Sequence, residues 1–273
     1  EKKILITGSN GFIGRHFIEN FKESKLIIGV TRKINQNVPR KNSFLEIDLT
    51  QEDFTAKLPK NCGTIIHMAQ SLQYRNFPIG AEDMRKINID STCKLLNWSI
   101  NNKIKNFIFL STANVYKTSS IKYKEDFELE PSTFYGLTKL CAEKLALQYS
   151  QFINIKILRL FTVYGPRQKG MLIANMIENI KNGKEISLAN GKGPRFSPIF
   201  VNDVFKIINH ILKIDDSILC NVCGDEVFNL KQIIDIISDK LKIKANVKNT
   251  SSEEINFSGD NYKLHSLVPE LKL

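Results

Sequence analysis

The sequence has little of what marks a membrane, secreted or disordered chain. Only 14 of its 273 residues are glycine and 8 are proline, and no low-complexity tract interrupts them, as in ordinary globular proteins. No apolar run is long enough to span a bilayer, and the first residues read as a strand rather than a signal peptide. We therefore expect a cytoplasmic protein without a membrane partner, long enough to bury a sizeable core.

Cysteine is scarce, at five residues. Cys62, Cys93 and Cys141 stand alone in apolar or helical settings, which is typical of core-filling residues. Cys220 and Cys223 form a lone C-x-x-C, with no second pair and no nearby histidine to complete a zinc site. We predict that this pair is structural and that the chain has no metal site.

Acidic residues are outnumbered, with 28 Asp and Glu against 39 Lys and Arg, for a net charge of +11. The lysines are scattered rather than packed into one tract, and they lack the interleaved aromatic residues of a nucleic-acid site. The pattern therefore predicts a solvated basic surface and no nucleic-acid partner. Such a surface would still suit a small polyanionic substrate.

Strand and helix patterns alternate through the first two-thirds of the chain. The predicted strands cover residues 3–7, 26–30, 44–47, 64–67, 107–110 and 153–160. The predicted helices cover 80–101, 135–149, 172–181 and 230–241, and two more begin at residue 12 and after residue 203. Apolar strands between helices predict an α/β fold, a doubly wound parallel (Rossmann) sheet covered on both faces. We expect a dinucleotide-binding domain over 1–165, with a returning segment near 199–223. A smaller C-terminal α/β substrate lobe is expected over 166–273.

A phosphate site is predicted where the first strand turns into the first helix. Glycines follow the strand at three-residue spacing, and their missing side chains let backbone N–H groups approach a pyrophosphate. The helix N-terminus adds partial positive charge. The candidate cofactor-binding residues of this turn are Gly8, Asn10, Gly11, Phe12, Ile13 and Gly14.

The end of the second strand bears on the choice of cofactor. A ribose-binding acid is expected about 20 residues beyond the glycines for a cofactor with free ribose hydroxyls, but Thr31, Arg32 and Lys33 stand there. Cations suit a 2′-phosphate, although the two could also simply start an exposed loop. The cofactor is therefore expected to be NAD or NADP, with a slight lean to NADP. Asp48 and Leu49 are further candidate cofactor-binding residues. Asp48 is either an acceptor for an adenine amino group or a turn residue.

The end of the fourth strand lies on the side where ligands bind in such sheets. His67 is predicted to be a hydrogen-bonded structural histidine rather than a catalyst. Met68, Ala69 and Gln70 are candidate cofactor-binding residues, and Ser71 is a candidate substrate-binding residue.

Tyr135 and Lys139 stand four residues apart on a predicted helix, so they share one face. A nearby ammonium favours the phenolate, and we expect the pKa of Tyr135 to fall below its usual value of about 10. That would make Tyr135 a general acid and base at neutral pH. The alternative, two exposed residues on an amphipathic helix, loses weight because Thr112 ends the preceding strand, where its hydroxyl could hold the same substrate oxygen.

Several motifs occur together in order. They are Gly8-Ser9-Asn10-Gly11-Phe12-Ile13-Gly14, Leu110-Ser111-Thr112-Ala113-Asn114-Val115-Tyr116 and Tyr135-x-x-x-Lys139, supported by the stretches at 159–167 and 195–204. Together they resemble the extended short-chain dehydrogenase/reductase superfamily, in its nucleotide-sugar epimerase/dehydratase/reductase branch. The resemblance runs from Lys3 to about Leu241.

The resemblance implies that Tyr135 exchanges a proton with a sugar hydroxyl while hydride moves to or from nicotinamide. Lys139 would also hold the nicotinamide ribose, and Thr112 would hydrogen-bond the reacting oxygen. The implied activity is an NAD(P)-dependent oxidoreductase acting at C4 of a nucleotide-diphosphate sugar, as a 4-epimerase or a 4-keto reductase. The family commonly forms a homodimer and most often serves polysaccharide biosynthesis. A catalytically silent dinucleotide-binding sensor on the same fold is the alternative.

The resemblance also implies roles beyond the catalytic residues. Arg195 matches the position that grips the substrate diphosphate, and Asn88 and Phe161 match positions that line the cofactor or the active-site floor. Thr162 is a candidate substrate-binding residue that stands where the branch usually carries asparagine. Dehydratases of the branch carry an Asp-Glu pair where this chain has Ala113-Asn114, which disfavours a 4,6-dehydratase.

Overall fold

The computed structural model describes residues 2–34, 43–251 and 255–271. Its strands are β1 (Lys3–Thr7), β2 (Ile27–Thr31), β3 (Ser43–Glu46), β4 (Cys62–His67), β5 (Asn106–Thr112), β6 (Asn154–Leu160), β7 (Val163–Tyr164), β8 (Ile186–Ala189), β9 (Arg195–Phe196), β10 (Ile199–Phe200), β11 (Ile218–Val222), β12 (Phe228–Asn229), β13 (Val247–Thr250) and β14 (Asn256–Phe257). Its helices are α1 (Phe12–Asn20), α2 (Ala81–Met84), α3 (Ser91–Asn101), α4 (Phe134–Gln148), α5 (Leu172–Lys181), α6 (Val201–Ile211), α7 (Leu230–Leu241) and α8 (Tyr262–Leu267). None of the helices in the described ranges is long and apolar enough to cross a bilayer.

The main sheet has seven strands in the order β11-β6-β5-β4-β1-β2-β3, and all of its neighbouring strands are parallel. Every residue of β5 is buried, as expected for a central strand covered on both faces. The connections run outward in opposite directions from β1 and β4, which places a crevice at the carboxyl ends of these strands. The predicted doubly wound parallel sheet is confirmed.

Two apolar layers cover the two faces of this sheet. Successive residues of β1 belong to different layers, because side chains alternate along a strand: Leu5 packs with Leu96 of α3 on one face. Ile6 packs with Phe17 of α1 and Ile207 of α6 on the other. The helices are therefore fixed on both sides of the strands whose ends form the crevice.

Three short sheets stand apart from the main one. Their orders are β10-β7, β12-β9-β14 and β13-β8. The elements β8, β9, β12, β13, β14, α5 and α7, here called the C-terminal lobe, share an apolar cluster that includes Ile180, Leu188, Phe196 and Ile233. Strand β11 leaves this part of the chain and pairs with β6 at the edge of the main sheet.

The helix predicted over 80–101 is present over 81–101, but its winding is not uniform. A π-helical segment over Arg85–Asp90 separates α2 from α3, and such wide turns are frequent at functional sites. Asn88 lies in this segment and is fully buried. Its backbone oxygen accepts a hydrogen bond of 2.8 Å from Thr92 Oγ1.

Helix α4 packs on a face that hydrophobic periodicity does not indicate. Its apolar residues at helical spacing are Leu137, Leu140, Cys141 and Leu145. The buried residues are instead small or polar, namely Gly136, Thr138, Lys139, Ala142, Glu143 and Ala146. Leu137 is 45% exposed, so the stripe of small and polar residues, not the apolar one, faces the sheet.

Cys220 in β11 and Cys223 just after it are both buried and form no disulfide. Burial raises the pKa of each thiol to about 12, so both stay protonated and unreactive at neutral pH. This environment agrees with the structural role predicted for the pair. In the described part of the chain, no three His, Cys, Asp or Glu residues cluster as a metal site would require.

Candidate active site

The glycine turn after β1 leaves no room for side chains. Gly8 has φ +69°, and a Cβ at this position would lie 2.7 Å from the backbone nitrogen of Ala69. A Cβ on Gly14 would collide with the carbonyl oxygen of Gly8, and Gly11 N donates to that same oxygen at 2.9 Å. The glycines thus pack the start of α1 and the end of β4 against one turn, the geometry of a phosphate cradle.

Polar side chains connect this turn to β2, and one of their buried oxygen atoms has no partner among the described residues. Ser9 Oγ donates to Val30 O at 2.9 Å, and Asn10 Nδ2 donates to Lys33 O at 2.6 Å. Asn10 Oδ1 is buried and has no hydrogen-bond partner in the part of the chain that the structure describes. A buried acceptor without a partner is uncommon in proteins. Beside a phosphate cradle it fits a ligand that donates a hydrogen bond, such as a ribose hydroxyl, and the residues present therefore fit a dinucleotide.

Arg32 lies between two acids. Its guanidinium is 3.7 Å from a carboxylate oxygen of Asp48 and 3.7 Å from one of Asp83. Burial opposes ionisation of Asp48, but hydrogen bonds from Thr50 and the charge of Arg32 lower its pKa overall. Thr31 is buried, and its hydroxyl donates to Lys33 O at 3.2 Å. Asp48 is thus a turn residue as well as the counter-ion of Arg32, and a 2′-phosphate beside Arg32 would meet two carboxylates.

His67 is the centre of a buried hydrogen-bond chain beneath the crevice. Because Thr92 Oγ1 donates to Asn88 O, it accepts from His67 Nε2, 3.0 Å away. His67 Nδ1 then accepts from Thr7 Oγ1 at 2.6 Å, and Thr7 Oγ1 accepts from Ala69 N at 3.2 Å. Burial lowers the pKa of His67 to about 3. His67 is therefore a neutral structural residue, as predicted.

Asn88 joins the loop after β4 to the N-terminal half of α4. Its Nδ2 donates to Thr138 Oγ1 at 2.9 Å, and its Oδ1 accepts from Ser71 N at 3.1 Å. Ser71, predicted to bind substrate, is fully buried, and its hydroxyl donates to Asp83. The Ser71 hydroxyl thus holds the loop after β4 in place, and its predicted contact with substrate stays a prediction.

The Tyr135 hydroxyl interacts with two polar side chains. It donates to Gln70 Oε1 at 2.8 Å, and the nearby Thr112 side chain favours its ionised form. Asn114 donates to Thr112 Oγ1 from its backbone nitrogen at 3.2 Å and from Nδ2 at 3.1 Å. With two donors on its oxygen, the Thr112 hydroxyl keeps its own proton for a further acceptor in the cleft. A Cβ on Gly136 would collide with Asn114 O, so this glycine allows the close approach.

Lys139 lies below the phenol in a dry environment. Its Nζ donates to Leu110 O at 2.6 Å and stands 4.0 Å from the centre of the Phe109 ring. Burial lowers the pKa of Lys139 to about 7, and the charge of Glu143 opposes that fall. The ammonium is therefore directed at the strand β5 rather than at the Tyr135 oxygen.

The expected lowering of the Tyr135 pKa is wrong for this arrangement. Burial raises the pKa of the half-buried phenol, and the neighbouring Tyr74 adds to the rise, while the hydrogen bond with Thr112 opposes it. The phenol is therefore protonated at neutral pH. It is a proton donor as it stands, and it becomes a base only when other groups stabilise the phenolate.

A buried ion pair supports this helix and was not predicted. Arg159 Nη2 lies 2.8 Å from Glu143 Oε2, and the two side chains are 2% and 1% exposed. Ser111 Oγ donates to the same carboxylate, and Arg159 Nη1 donates to Tyr116 OH at 2.9 Å. Glu143 follows Lys139 and Tyr135 at four-residue spacing, so the helical stripe of three polar residues was the available signal.

A second feature without a sequence prediction is the strap, residues 72–79, which crosses the cleft. Tyr74 packs its ring 5.4 Å from that of Tyr135. Arg75 Nη1 donates to Gly170 O at 2.7 Å, and Phe77 stacks on Phe134 at 4.9 Å. The strap thus covers the start of α4 and reaches the segment that precedes α5.

The remaining predicted residues lie around this centre. Arg195 begins β9 and donates to Ser120 O, and the Thr162 backbone oxygen accepts from Ile199 N at 2.9 Å. Phe161 is largely buried in an aromatic cluster with Tyr116 and Tyr123. Leu49 is a core residue, and those that stay half-buried at the crevice are Phe12, Ile13, Met68 and Ala69.

Comparisons with known proteins agree with this geometry. The model of the NAD dependent epimerase/dehydratase family matches residues 4–228. An uncharacterised UDP-glucose epimerase of Bacillus subtilis is 30% identical over 263 residues, which cover 87% of this chain and 81% of that protein. UDP-glucuronic acid 4-epimerase from Bacillus cereus, solved with UDP-glucuronic acid and NAD, superposes with a TM-score of 0.86 at 25% identity over 99% of this chain and 94% of that one.

A dehydratase has the same architecture. The dTDP-glucose 4,6-dehydratase DesIV from Streptomyces venezuelae, solved with NAD, gives a TM-score of 0.86 at 20% identity, covering 99% of this chain and 92% of that one. At this identity the likeness concerns the fold alone. The overall fold is therefore common to epimerases and dehydratases, and the side chains of the cleft must separate the two reactions.

Proposed function

The chain belongs to the NAD dependent epimerase/dehydratase family, and from that premise we propose that it is an NAD-dependent 4-epimerase of a nucleotide-diphosphate sugar. The first candidate substrates are UDP-glucose and UDP-glucuronic acid, because similar proteins are named for them. The observation that carries the proposal is the Tyr135 hydroxyl, which donates to Gln70 Oε1 and has the Thr112 side chain nearby. It lies at the strand ends that also form the glycine cradle.

Each residue of the cleft has a part in this reaction. When bound, NAD supplies an acceptor and donor of hydride for C4 of the sugar. Tyr135 exchanges the proton of the C4 hydroxyl, and Thr112 donates a hydrogen bond to the reacting oxygen. Lys139 is held by Leu110 O, and its positive charge on the same helical face favours the phenolate form of Tyr135. Arg195 would bind the diphosphate of the substrate.

We propose NAD rather than NADP as the cofactor. Arg32 is the cation that favoured NADP, but carboxylates of Asp48 and Asp83 stand 3.7 Å from it. A 2′-phosphate at this position would bring further negative charge toward both acids. Similar solved proteins contain NAD, which supports the same choice.

A 4,6-dehydratase is disfavoured by the two residues after Thr112. Water elimination needs an acid and a base there, as the resemblance implies, and this chain has Ala113 and Asn114. The Asn114 amide is engaged by Thr112 and titrates no proton. The position is thus used to orient a hydroxyl instead of supplying an acid.

A 4-keto reductase is the second candidate, and one observation favours it. Burial keeps the Tyr135 phenol protonated, which suits proton donation to a ketone. A reductase consumes its reduced cofactor, whereas an epimerase keeps NAD bound and regenerates it. Retention of NAD through purification therefore separates the two.

The test is an epimerisation assay on the purified protein with each candidate UDP-sugar, followed by proton NMR at C4. We expect NAD to be released on denaturation and the C4 epimer to appear without added cofactor. Tyr135→Phe should bind NAD normally and lose at least about a thousandfold in turnover, within the range of general acid–base catalysis. Tyr149→Phe, at the far end of the same helix with its hydroxyl on Asn97, is the matched control. Unchanged turnover in Tyr135→Phe would refute the mechanism.

We also propose a homodimer that pairs α3 and α4 with their copies. Leu137 on α4 is 45% exposed and Ile100 on α3 is 37% exposed, so apolar side chains face outward on both helices. Light scattering should give twice the chain mass, and Leu137→Glu should yield a monomer. A wild-type monomer at assay concentration would exclude this arrangement.

A further inference from the structure

Gln70 directs its side-chain amide at the reacting hydroxyl of Tyr135. Its Oε1 accepts the phenolic hydrogen bond at 2.8 Å, although the two residues are far apart in the chain. The backbone on either side of Gln70 is fixed, because Ala69 N donates to Thr7 Oγ1 at 3.2 Å and Ser71 is fully buried. Gln70 itself is exposed to the cleft. An anchored backbone thus presents a free amide to the catalytic oxygen.

A reversible proton transfer requires both forms of Tyr135 to be bound. The phenol needs an acceptor for its hydrogen, and the phenolate needs donors. Thr112 is a donor only, because Asn114 occupies its lone pairs from two nitrogens. Gln70 Oε1 accepts from the Tyr135 hydroxyl, a role that Thr112 cannot fill.

An amide can also act as a donor at the same place. Glutamine has an acceptor oxygen and a donor nitrogen on one planar group, and its last torsion has a broad, two-fold preference. A half-turn about this torsion exchanges Oε1 for Nε2 without moving the backbone. Neither a carboxylate nor an apolar side chain of this size has that property.

Resting on the proposed function, we propose that Gln70 is a further catalytic residue whose amide binds the Tyr135 oxygen in both protonation states. Oε1 accepts from the phenol, and after the half-turn Nε2 donates to the phenolate. In sugar oxidation the phenolate oxygen would take the C4–OH proton, and bound NAD would supply the acceptor for the C4 hydrogen as hydride. The phenol would return its proton to the sugar oxygen in the reverse step, and Gln70 gains and loses no proton.

The kinetic test compares two substitutions in single-turnover half-reactions. Gln70→Glu keeps the acceptor and removes the donor, so oxidation at neutral pH should slow at least about tenfold, the rate equivalent of one pKa unit. Its rate should recover as pH rises, while reduction slows by less than about threefold. Gln70→Met keeps the length of the side chain and removes both roles, so both directions should slow alike.

The matched control is Gln73→Glu. It places the same charge on the strap, but Gln73 contacts Ser71 and Asn76 rather than Tyr135. Its half-reactions and pH profile should stay within about twofold of wild type. If Gln70→Glu and Gln73→Glu changed the half-reactions equally, the effect would be due to long-range charge, and the proposal would be overturned. Wild-type kinetics in Gln70→Met would overturn it as well.

A spectroscopic arm does not depend on the substrate. In protein labelled with carbon-13 at tyrosine Cζ, one of the seven tyrosine resonances disappears in Tyr135→Phe and is thereby assigned. It should shift in Gln70→Met and stay in place in Gln73→Glu; no shift in Gln70→Met overturns the hydrogen bond itself. A wild-type protein inactive on every sugar, with this shift present, would instead refute the proposed function.

Discussion

Replacing Glu143 by glutamine tests how helix α4 is held. The substitution removes the charge that pairs with Arg159, and both side chains are at most 2% exposed. It leaves the guanidinium buried with only neutral partners, such as Tyr116 OH at 2.9 Å. Breaking a buried pair from one side costs about 3–5 kcal/mol. We expect about 3 kcal/mol, because the glutamine oxygen can still accept one hydrogen bond.

The loss is large against the total stability of a domain, about 5–15 kcal/mol. At about 2–4 °C per kcal/mol for a chain of this size, Tm should fall by about 6–12 °C. Urea unfolding followed by circular dichroism should show a lower midpoint with an unchanged m-value. Lys139 gives a second readout: its pKa should fall further below about 7 once the opposing charge of Glu143 is removed, so activity should decline at neutral pH.

The matched control is the double variant Glu143→Gln/Arg159→Met. It leaves no unpaired charge, so it should be more stable than the single variant, while Lys139 still lacks the carboxylate. A single variant that loses less than about 1 kcal/mol would contradict the assigned cost. A double variant no more stable than the single one would show that the unpaired guanidinium is not the cause.

Three further outcomes are expected. Gly8→Ala should lower NAD retention at least about tenfold, because its Cβ would collide with the backbone at the end of β4. The control is Gly170→Ala, which has the same φ of +69° but open space around it. This variant should incur only the left-handed strain of about 1 kcal/mol and keep NAD. The wild-type protein should lose stability as pH falls from 6.5 toward the His67 pKa of about 3, because the unfolded chain binds the proton first. The expected slope is about 1.4 kcal/mol per pH unit. The loss should be smaller in His67→Gln, and equal slopes of the two proteins in denaturant titrations would contradict the role of His67. Asp83→Asn should raise affinity for NADP relative to NAD in fluorescence titrations by freeing part of the Arg32 charge, and an unchanged ratio would refute that role.

Local patterns predicted the parts of the molecule that local forces decide. Helices over 172–181 and 230–241 begin and end where the periodicity of their apolar residues places them. The glycine turn was equally readable, because strand, glycines and helix are contiguous. For both, the interactions that select the structure lie within a few residues.

The cleft depended on contacts that the chain order does not reveal. The bond from Tyr135 to Gln70 spans 65 residues, and it exists only because β4 and β5 are neighbours in the sheet. The pKa of Tyr135 rises through burial, and Tyr74 of the strap adds to the rise. The hydrophobic pattern of helix α4 does not indicate its buried face, because the residues that it buries are small or polar.

The π-helical segment at Arg85–Asp90 has a consequence for insertions and deletions. Such a turn holds one residue more than an α-helical turn, so deleting one residue there would restore regular winding. Each residue of an α-helix advances the chain by about 100° around the axis. The deletion would leave α3 in place but turn the Asn88 amide away from Thr138 and Ser71, which it now joins. The extra residue thus rotates the helix so that Asn88 reaches both Thr138 of α4 and Ser71 after β4.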